Sequence, residues 1–175
     1  MITIGRSEKR LEKEVFRPDQ DESELKLETV IIFGARRGAE IRKQQQGEYS
    51  TFFREGLPVG SIERLFKFLG VSNAEGLHLL SLTSATYSRR KVKGKLDSTE
   101  SDRVYRYAKL SRLAAEMFHG DKEAARGWLK TPAHAFKGET PLERARTEYG
   151  ADQVEQLTGR IRHGIPTLVM RLFTV

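Results

Sequence analysis

Three groups of residues in this sequence have side chains that chemistry uses. Four histidines stand at positions 78, 119, 134 and 163, an acid–hydroxyl–acid trio occupies Glu100, Ser101 and Asp102, and five bases crowd into Arg89, Arg90, Lys91, Lys93 and Lys95. The histidines fall in no H-x-x-x-H or carboxylate-rich spacing, which argues against a bound metal. His119 and His163 are each expected in the last turn of a helix, where a side chain able to carry positive charge suits the dipole. The trio has no nucleophile–base pair beside it, and Glu100 stands three residues after Asp97, the spacing of a helix cap. The chain has no cysteine, so thiolate nucleophiles, disulfides and cysteine zinc sites are excluded. No catalytic constellation and no cofactor site emerges. What remains is the basic cluster, which on charge alone is either a surface that attracts a polyanion and displaces its counterions or a solubilising face.

The charge is unevenly distributed. The chain carries +7 in total, and residues 88–130 alone sum to +6. At 38% hydrophobic and 31% charged the composition is that of a globular chain with a generous charged surface. No run approaches the ~20 apolar residues of a membrane span, and MITIGRSEKR has no apolar stretch of secretory type. A cytoplasmic protein is the expectation.

The cluster needs elements to hold it, and from Gly56 onward these are punctuated clearly. In GSIERLFKFLGV, Ile62, Leu65, Phe66 and Leu69 make one apolar helical face, stopped at Gly70. Ser72 and Glu75 have capping-box spacing before a helix with Leu77, Leu79 and Leu80. Thr83 or Ser84 caps a third helix that runs through the basic residues to Gly94. Asp97 and Glu100 form a second box and launch a long helix to about His119, with Leu110, Leu113, Ala114 and Met117 inward. Asp121 caps a helix whose inner face holds Ala124, Ala125, Trp128 and Leu129 before Thr131-Pro132. Thr140, Pro141 and Glu143 start the next, and a last helix presents Val154, Leu157 and Ile161 before His163-Gly164-Ile165-Pro166. Upstream, LKLETVIIFG (25–34) is too short for periodicity to decide between strand and helix, and residues 1–24 read as a mobile arm or a loosely docked helix. The fold expected is all-α.

A capped helix (72–81), a short joint and a basic helix (84–93) have the dimensions of a helix-turn-helix, with a purely structural helical hairpin as the other reading. Its second helix would offer Ser84, Thr86 and Tyr87 to base edges. Arg89, Arg90, Lys91, Lys93 and Lys95 would meet the phosphates of double-stranded DNA. Arg103, Arg106, Lys109 and Arg112 recur at helical intervals and either extend this patch or form a solvated face.

The run from Gly56 to Ile165, about 110 of the 175 residues, resembles Xre-type antitoxins of the RES–Xre and ParS group. GLPVGSIERL is similar to the opening of that family's first helix. TYSRRKVKGKLDSTESDRVYRYAKL matches its most distinctive block through Thr86, Arg89-Arg90, Gly94, Leu96, Glu100 to Arg103, and Arg106. AARGWLKTPAHAFKGETPLE matches the next at Ala125, Trp128-Leu129, Pro132, Gly138 and Thr140-Pro141. EYGADQVEQLTGRIRHGI matches the last at Glu148, Gly150, Val154, Leu157, Arg160-Ile161 and His163-Gly164. Residues 1–50 and the apolar tail TLVMRLFTV lie outside it.

The resemblance implies a Cro/Xre-like helix-turn-helix bundle (55–96), followed by a helical dimerisation and toxin-binding domain (97–175). Residues 1–54 would be a charged, partly disordered extension. It further implies a type II antitoxin that represses its own operon as a homodimer within a larger hetero-oligomer. Such an antitoxin holds a cognate RES-domain, NAD-consuming toxin inactive by covering its active site. Arg160, His163 and Gly164, then Ile165, Pro166, Leu168 and Met170, are the placement for the toxin contact. The concentration of large apolar residues in this tail fits a covered surface, either the toxin or the chain's own core. A stand-alone helix-turn-helix regulator, with C-terminal helices that only dimerise, is the alternative.

Overall fold

A computed structural model describes residues 27–34, 38 and 49–162. The arm at 1–24, most of the basic segment 35–48 and the tail from His163 onward lie outside the described residues. Residues 27–33 are helical, which answers the question the short apolar run left open. Ile31, Ile32 and Phe33 are buried in the core, so tertiary packing decides what a short apolar run could not. Then follow α1 (Tyr49–Glu55), α2 (Gly60–Leu69), α3 (Asn73–Leu79), α4 (Ser84–Lys93) and α5 (Ser98–Met117). After α6 (Lys122–Lys130) and a 3₁₀ turn (His134–Phe136) come α7 (Pro141–Arg144) and α8 (Glu148–Arg162). The described chain is all-α, its one extended contact being an isolated bridge between Pro58 and Lys95.

The organiser is α5. It packs against α1, α2, α6 and α8, while α7 bridges α6 and α8. Val104, Tyr107, Ala108, Leu110 and Ala114 face inward along it. The Tyr107 hydroxyl lies 3.2 Å from the carbonyl oxygens of both Leu79 and Leu142, tying the end of α3 to α7. Its burial pushes the phenol above its ordinary range.

The starts of the helices follow the sequence signals, but only partly as boxes. Ser72 accepts from the Glu75 amide and Thr140 from the Glu143 amide. The reciprocal bond is closed at Asp97–Glu100. The Glu143 carboxylate lies instead toward Arg146 and His78. At its other end α5 stops at Met117, and His119 sits beyond the last turn with φ 54°. That corrects the expectation of a dipole-facing histidine: the residue serves a left-handed turn with Gly120. Trp128 is buried in the core; α8 is described as far as Arg162, and the stop expected at His163-Gly164-Ile165-Pro166 lies outside the described residues.

The segment 27–33 is held by charges from distant helices. The Arg64 guanidinium donates to the carbonyl of Ile31 at 3.0 Å and to that of Ile32, satisfying acceptors that a helix end leaves open. Arg112 of α5 pairs with Glu28 at 3.2 Å. Phe33 packs edge-on against Phe52 of α1 with centroids 5.1 Å apart.

Candidate nucleic-acid interface

The basic helix α4 begins at Thr83, whose hydroxyl oxygen accepts from the Thr86 amide, and ends at Gly94 in the left-handed region, φ 78°. Between α3 and α4 the chain turns at Ser81, also left-handed at φ 51°. From α5, Arg103 donates to the carbonyls of Leu80 and Ser81 at 3.0 and 3.3 Å, fixing that turn from outside. Gly76 lets α3 approach α2: a Cβ there would lie 2.4 Å from the Phe66 ring. Sequence spacing thus gives the helix pair, and one glycine and one arginine set its packing.

Beyond Gly94 the chain is stitched back onto the residues before α2. The Val59 amide donates to Gly94 O at 3.0 Å, and the Leu96 amide to Leu57 O at 2.9 Å. Ser101, fully buried, accepts from the Leu57 amide and donates to Asp97 O. Gly56 is needed here, because at φ 92° a Cβ would fall 1.9 Å from Leu96 O. The acid–hydroxyl–acid trio is therefore a joint: Glu100 and Ser101 bind neighbouring backbone, and Asp102 points to solvent.

The predicted DNA-facing residues separate into two groups. Tyr87 is turned inward and buried, its hydroxyl donating to Glu63 of α2 at 3.1 Å. Arg90 forks onto the cap of α5, with Nε 2.7 Å from Glu100 Oε2 and Nη2 2.6 Å from Asp97 Oδ2. Lys91 pairs with Glu63 at 2.9 Å and lies 4.8 Å above the Tyr87 ring. Lys95 reaches Glu55 at 3.3 Å. Hydrogen bonds from Lys91 and Tyr87 hold the Glu63 carboxyl below its ordinary range.

The second group faces outward. Ser84, Ser88, Arg89 and Lys93 are exposed and Thr86 half-buried. Arg89 makes a 3.3 Å contact with the Thr86 hydroxyl, and neither it nor Lys93 has a carboxylate partner among the described residues. The acidic residues near α4 are thus drawn to its inner edge, leaving the outer face positive.

The series Arg103, Arg106, Lys109 and Arg112 is neither a DNA patch nor a loose solvated face. Arg106 grips Glu148 of α8 and the Arg146 carbonyl, and Lys109 pairs with Glu155 at 2.7 Å. Arg112 joins Glu28 and Glu116. These bases fasten α8 and the N-terminal segment to α5. Sequence reasoning misses this because helical spacing reports a shared face, not what covers it.

Of the residues placed against a toxin, Arg160 is described. It is exposed near the end of α8, its Nε 3.3 Å from the Gln156 carbonyl. His163, Gly164, Ile165, Pro166, Leu168 and Met170 lie outside the described residues. No helix among the described residues is long and apolar enough to cross a membrane.

Comparison with known proteins assigns both halves of this arrangement. The family model of the antitoxin Xre-like helix-turn-helix domain matches residues 48–109. That of the antitoxin Xre/MbcA/ParS C-terminal toxin-binding domain matches residues 113–164. Antitoxin Xre of Photorhabdus laumondii is 34% identical over 117 residues, covering 66% of this chain and 79% of the relative. Antitoxin Xre of Yersinia enterocolitica is 31% identical over 111 residues, covering 63% and 75%. A shorter match, 37% identical over 65 residues, covers 37% of this chain and 40% of antitoxin Xre of Pseudomonas putida. With a helix-turn-helix domain matched over residues 48–109 and a toxin-binding domain over residues 113–164, this chain belongs to the Xre antitoxin family and is a regulatory protein, not an enzyme.

Proposed function

We propose that the chain neutralises a cognate RES-type, NAD-consuming toxin by covering its active site. In the same reading it represses its own operon by binding double-stranded DNA as a homodimer in the cytoplasm. The observation that carries the DNA half is the sorting of charge on α4. Tyr87 is buried and Arg90 and the exposed Lys91 are tied to carboxylates, while Ser84, Ser88, Arg89 and Lys93 stand outward with no carboxylate opposing them among the described residues. A surface of short polar side chains flanked by unneutralised bases suits close approach to a duplex. Thr86 and Lys95 flank this face, and Tyr87, Arg90 and Lys91 orient it. Two-fold pairing of such helices matches paired half-sites.

We place the division between the DNA-reading and toxin-binding parts at residues 96/97, where the α5 cap begins, with residues 1–54 as an extension before them. The toxin contact falls on Arg160, His163 and Gly164 and continues through Ile165, Pro166, Leu168 and Met170. Support for this is the charge-rich, exposed end of α8, with Arg160 and Arg162 both accessible.

Co-expression with a RES-domain toxin tests the first half. The chain should co-purify with the toxin and restore both growth and cellular NAD, and failure on all three counts removes the RES assignment. Replacing Arg89, Arg90 and Lys91 together by alanine should abolish duplex binding in a gel shift while toxin inhibition persists. DNA binding without any toxin binding would instead identify a stand-alone regulator. Deleting residues 166–175 should weaken inhibition of the toxin and spare the dimer.

A further inference from the structure

Val92 is 92% exposed, the most exposed of the large apolar side chains described. Its neighbours in the chain, Lys91 and Lys93, are charged, and nothing apolar covers it among the described residues. A β-branched residue in a solvent-facing helix position loses side-chain freedom and gains no packing in return. A local choice that breaks the helix rule without a folding benefit points to a binding role.

The position on α4 says what it would bind. With 3.6 residues per turn, Ser84, Ala85, Ser88, Arg89 and Val92 occupy one side of the helix. The opposite side carries Tyr87 and Arg90, which are fixed to Glu63, Asp97 and Glu100. Val92 lies almost in line with Ala85, two turns earlier, between the serine edge and the Arg89 edge. The centre of the outward face is therefore methyl-bearing, and its margins are hydroxyl-bearing and cationic. In the major groove, the base-edge feature that an apolar tip recognises is the thymine C5-methyl, while Arg pairs with guanine.

Building on the DNA-binding reading above, we infer that Val92 is a specificity-determining residue that contacts a thymine methyl in the operator half-site. The partner chemistry is a pyrimidine 5-methyl group at the wall of the major groove, beside the base pair or phosphate met by Arg89.

The test uses the full chain and a duplex that the wild type itself selects from a random-sequence pool, with thymines exchanged singly for uracil. At one thymine per half-site the exchange should weaken wild-type binding about fourfold, the equivalent of one buried methyl at ~0.8 kcal/mol. Val92→Ala should lose a similar factor on the unmodified duplex and be indifferent to that uracil, and 5-methylcytosine at the site should be partly tolerated. Equal affinities of Val92→Ala and wild type, with uracil sensitivity unchanged at every thymine, would overturn the inference while leaving DNA binding standing. Unaltered duplex binding together with lost toxin co-purification in Val92→Ala assigns the residue to a protein partner and also overturns it. If the wild type selects no duplex at all, the DNA reading itself falls.

Discussion

Arg89 and Arg90 are neighbours with the same side chain, yet the fold gives them different tasks. Arg90 is held by two carboxylates at the start of α5, whereas Arg89 stands on the outer face with no carboxylate partner among the described residues. Salt titration separates them. Each phosphate contact adds about 0.9 to the slope of log affinity against log salt. Arg89→Ala and Lys93→Ala should each reduce that slope by about 0.9, and Arg90→Ala should weaken binding with the slope unchanged. A reduced slope for Arg90→Ala would return it to the phosphate-contacting group. Ser81, strained at φ 51° in the turn between α3 and α4, gives a second residue-scale prediction. Ser81→Gly should raise stability by roughly 0.5–1 kcal/mol, read from the denaturant midpoint. The two arginines cannot be told apart in the sequence, because α4 has too few apolar residues to fix which way its faces point. Only Tyr87 turning inward sets that phase, and its sequence context, between small polar residues and bases, suggests a surface position instead.

At the scale of elements, start signals are legible in the sequence and packing distances are not. Asp97, Asp121, Thr83 and Thr140 each cap the helix their spacing predicts, since a cap is a local event within four residues. Helix-to-helix distance depends on residues far apart in the chain, and two glycines make this measurable. Gly76→Ala places a methyl against the Phe66 ring and should destabilise by about 1–3 kcal/mol through overpacking. Gly127, inside α6, has open space where a Cβ would stand, with nothing within 4 Å, and Gly127→Ala should stabilise by roughly 0.5–1 kcal/mol. Thermal or chemical denaturation of the pair checks both signs. The same logic explains why the Arg103–Arg112 series is opaque in the sequence: its partners Leu80, Glu148, Glu155 and Glu28 come from distant segments.

Across the whole molecule, the residues before α1 belong to the core that the later helices build. The helix-turn-helix match begins at residue 48, but Ile31, Ile32 and Phe33 are buried against the body that follows. Deleting residues 1–34 should lower the unfolding midpoint, because it uncovers that surface and takes from Arg64 and Arg112 the groups they hold there. An unchanged midpoint would show the segment to be dispensable. Glu28 gives the pH counterpart. Burial pushes its carboxyl above the ordinary value of 4.5, against the attraction of Arg112. A raised carboxyl favours folding most below the unfolded value, and that contribution declines as pH rises through the folded one. Wild-type stability relative to Glu28→Gln should therefore fall as pH rises from about 4 towards neutrality. A constant difference across that window would mean that Arg112 fully offsets the burial.

The grip of Arg64 and Arg112 on residues 27–33 has a consequence for how the chain assembles. The carbonyls of Ile31 and Ile32 wait for a residue 33 and 32 positions downstream, and Glu28 for one 84 positions away. During synthesis from the N-terminus, the first part of the described chain to be made gains Arg64 with α2 and lacks its last anchor, Arg112, until most of α5 has emerged from the ribosome. Loop closure over that distance must precede its docking. The segment then settles in stages: a nascent chain halted before Arg64 leaves Ile31 and Ile32 without their guanidinium, and one halted before Arg112 leaves Glu28 without its own.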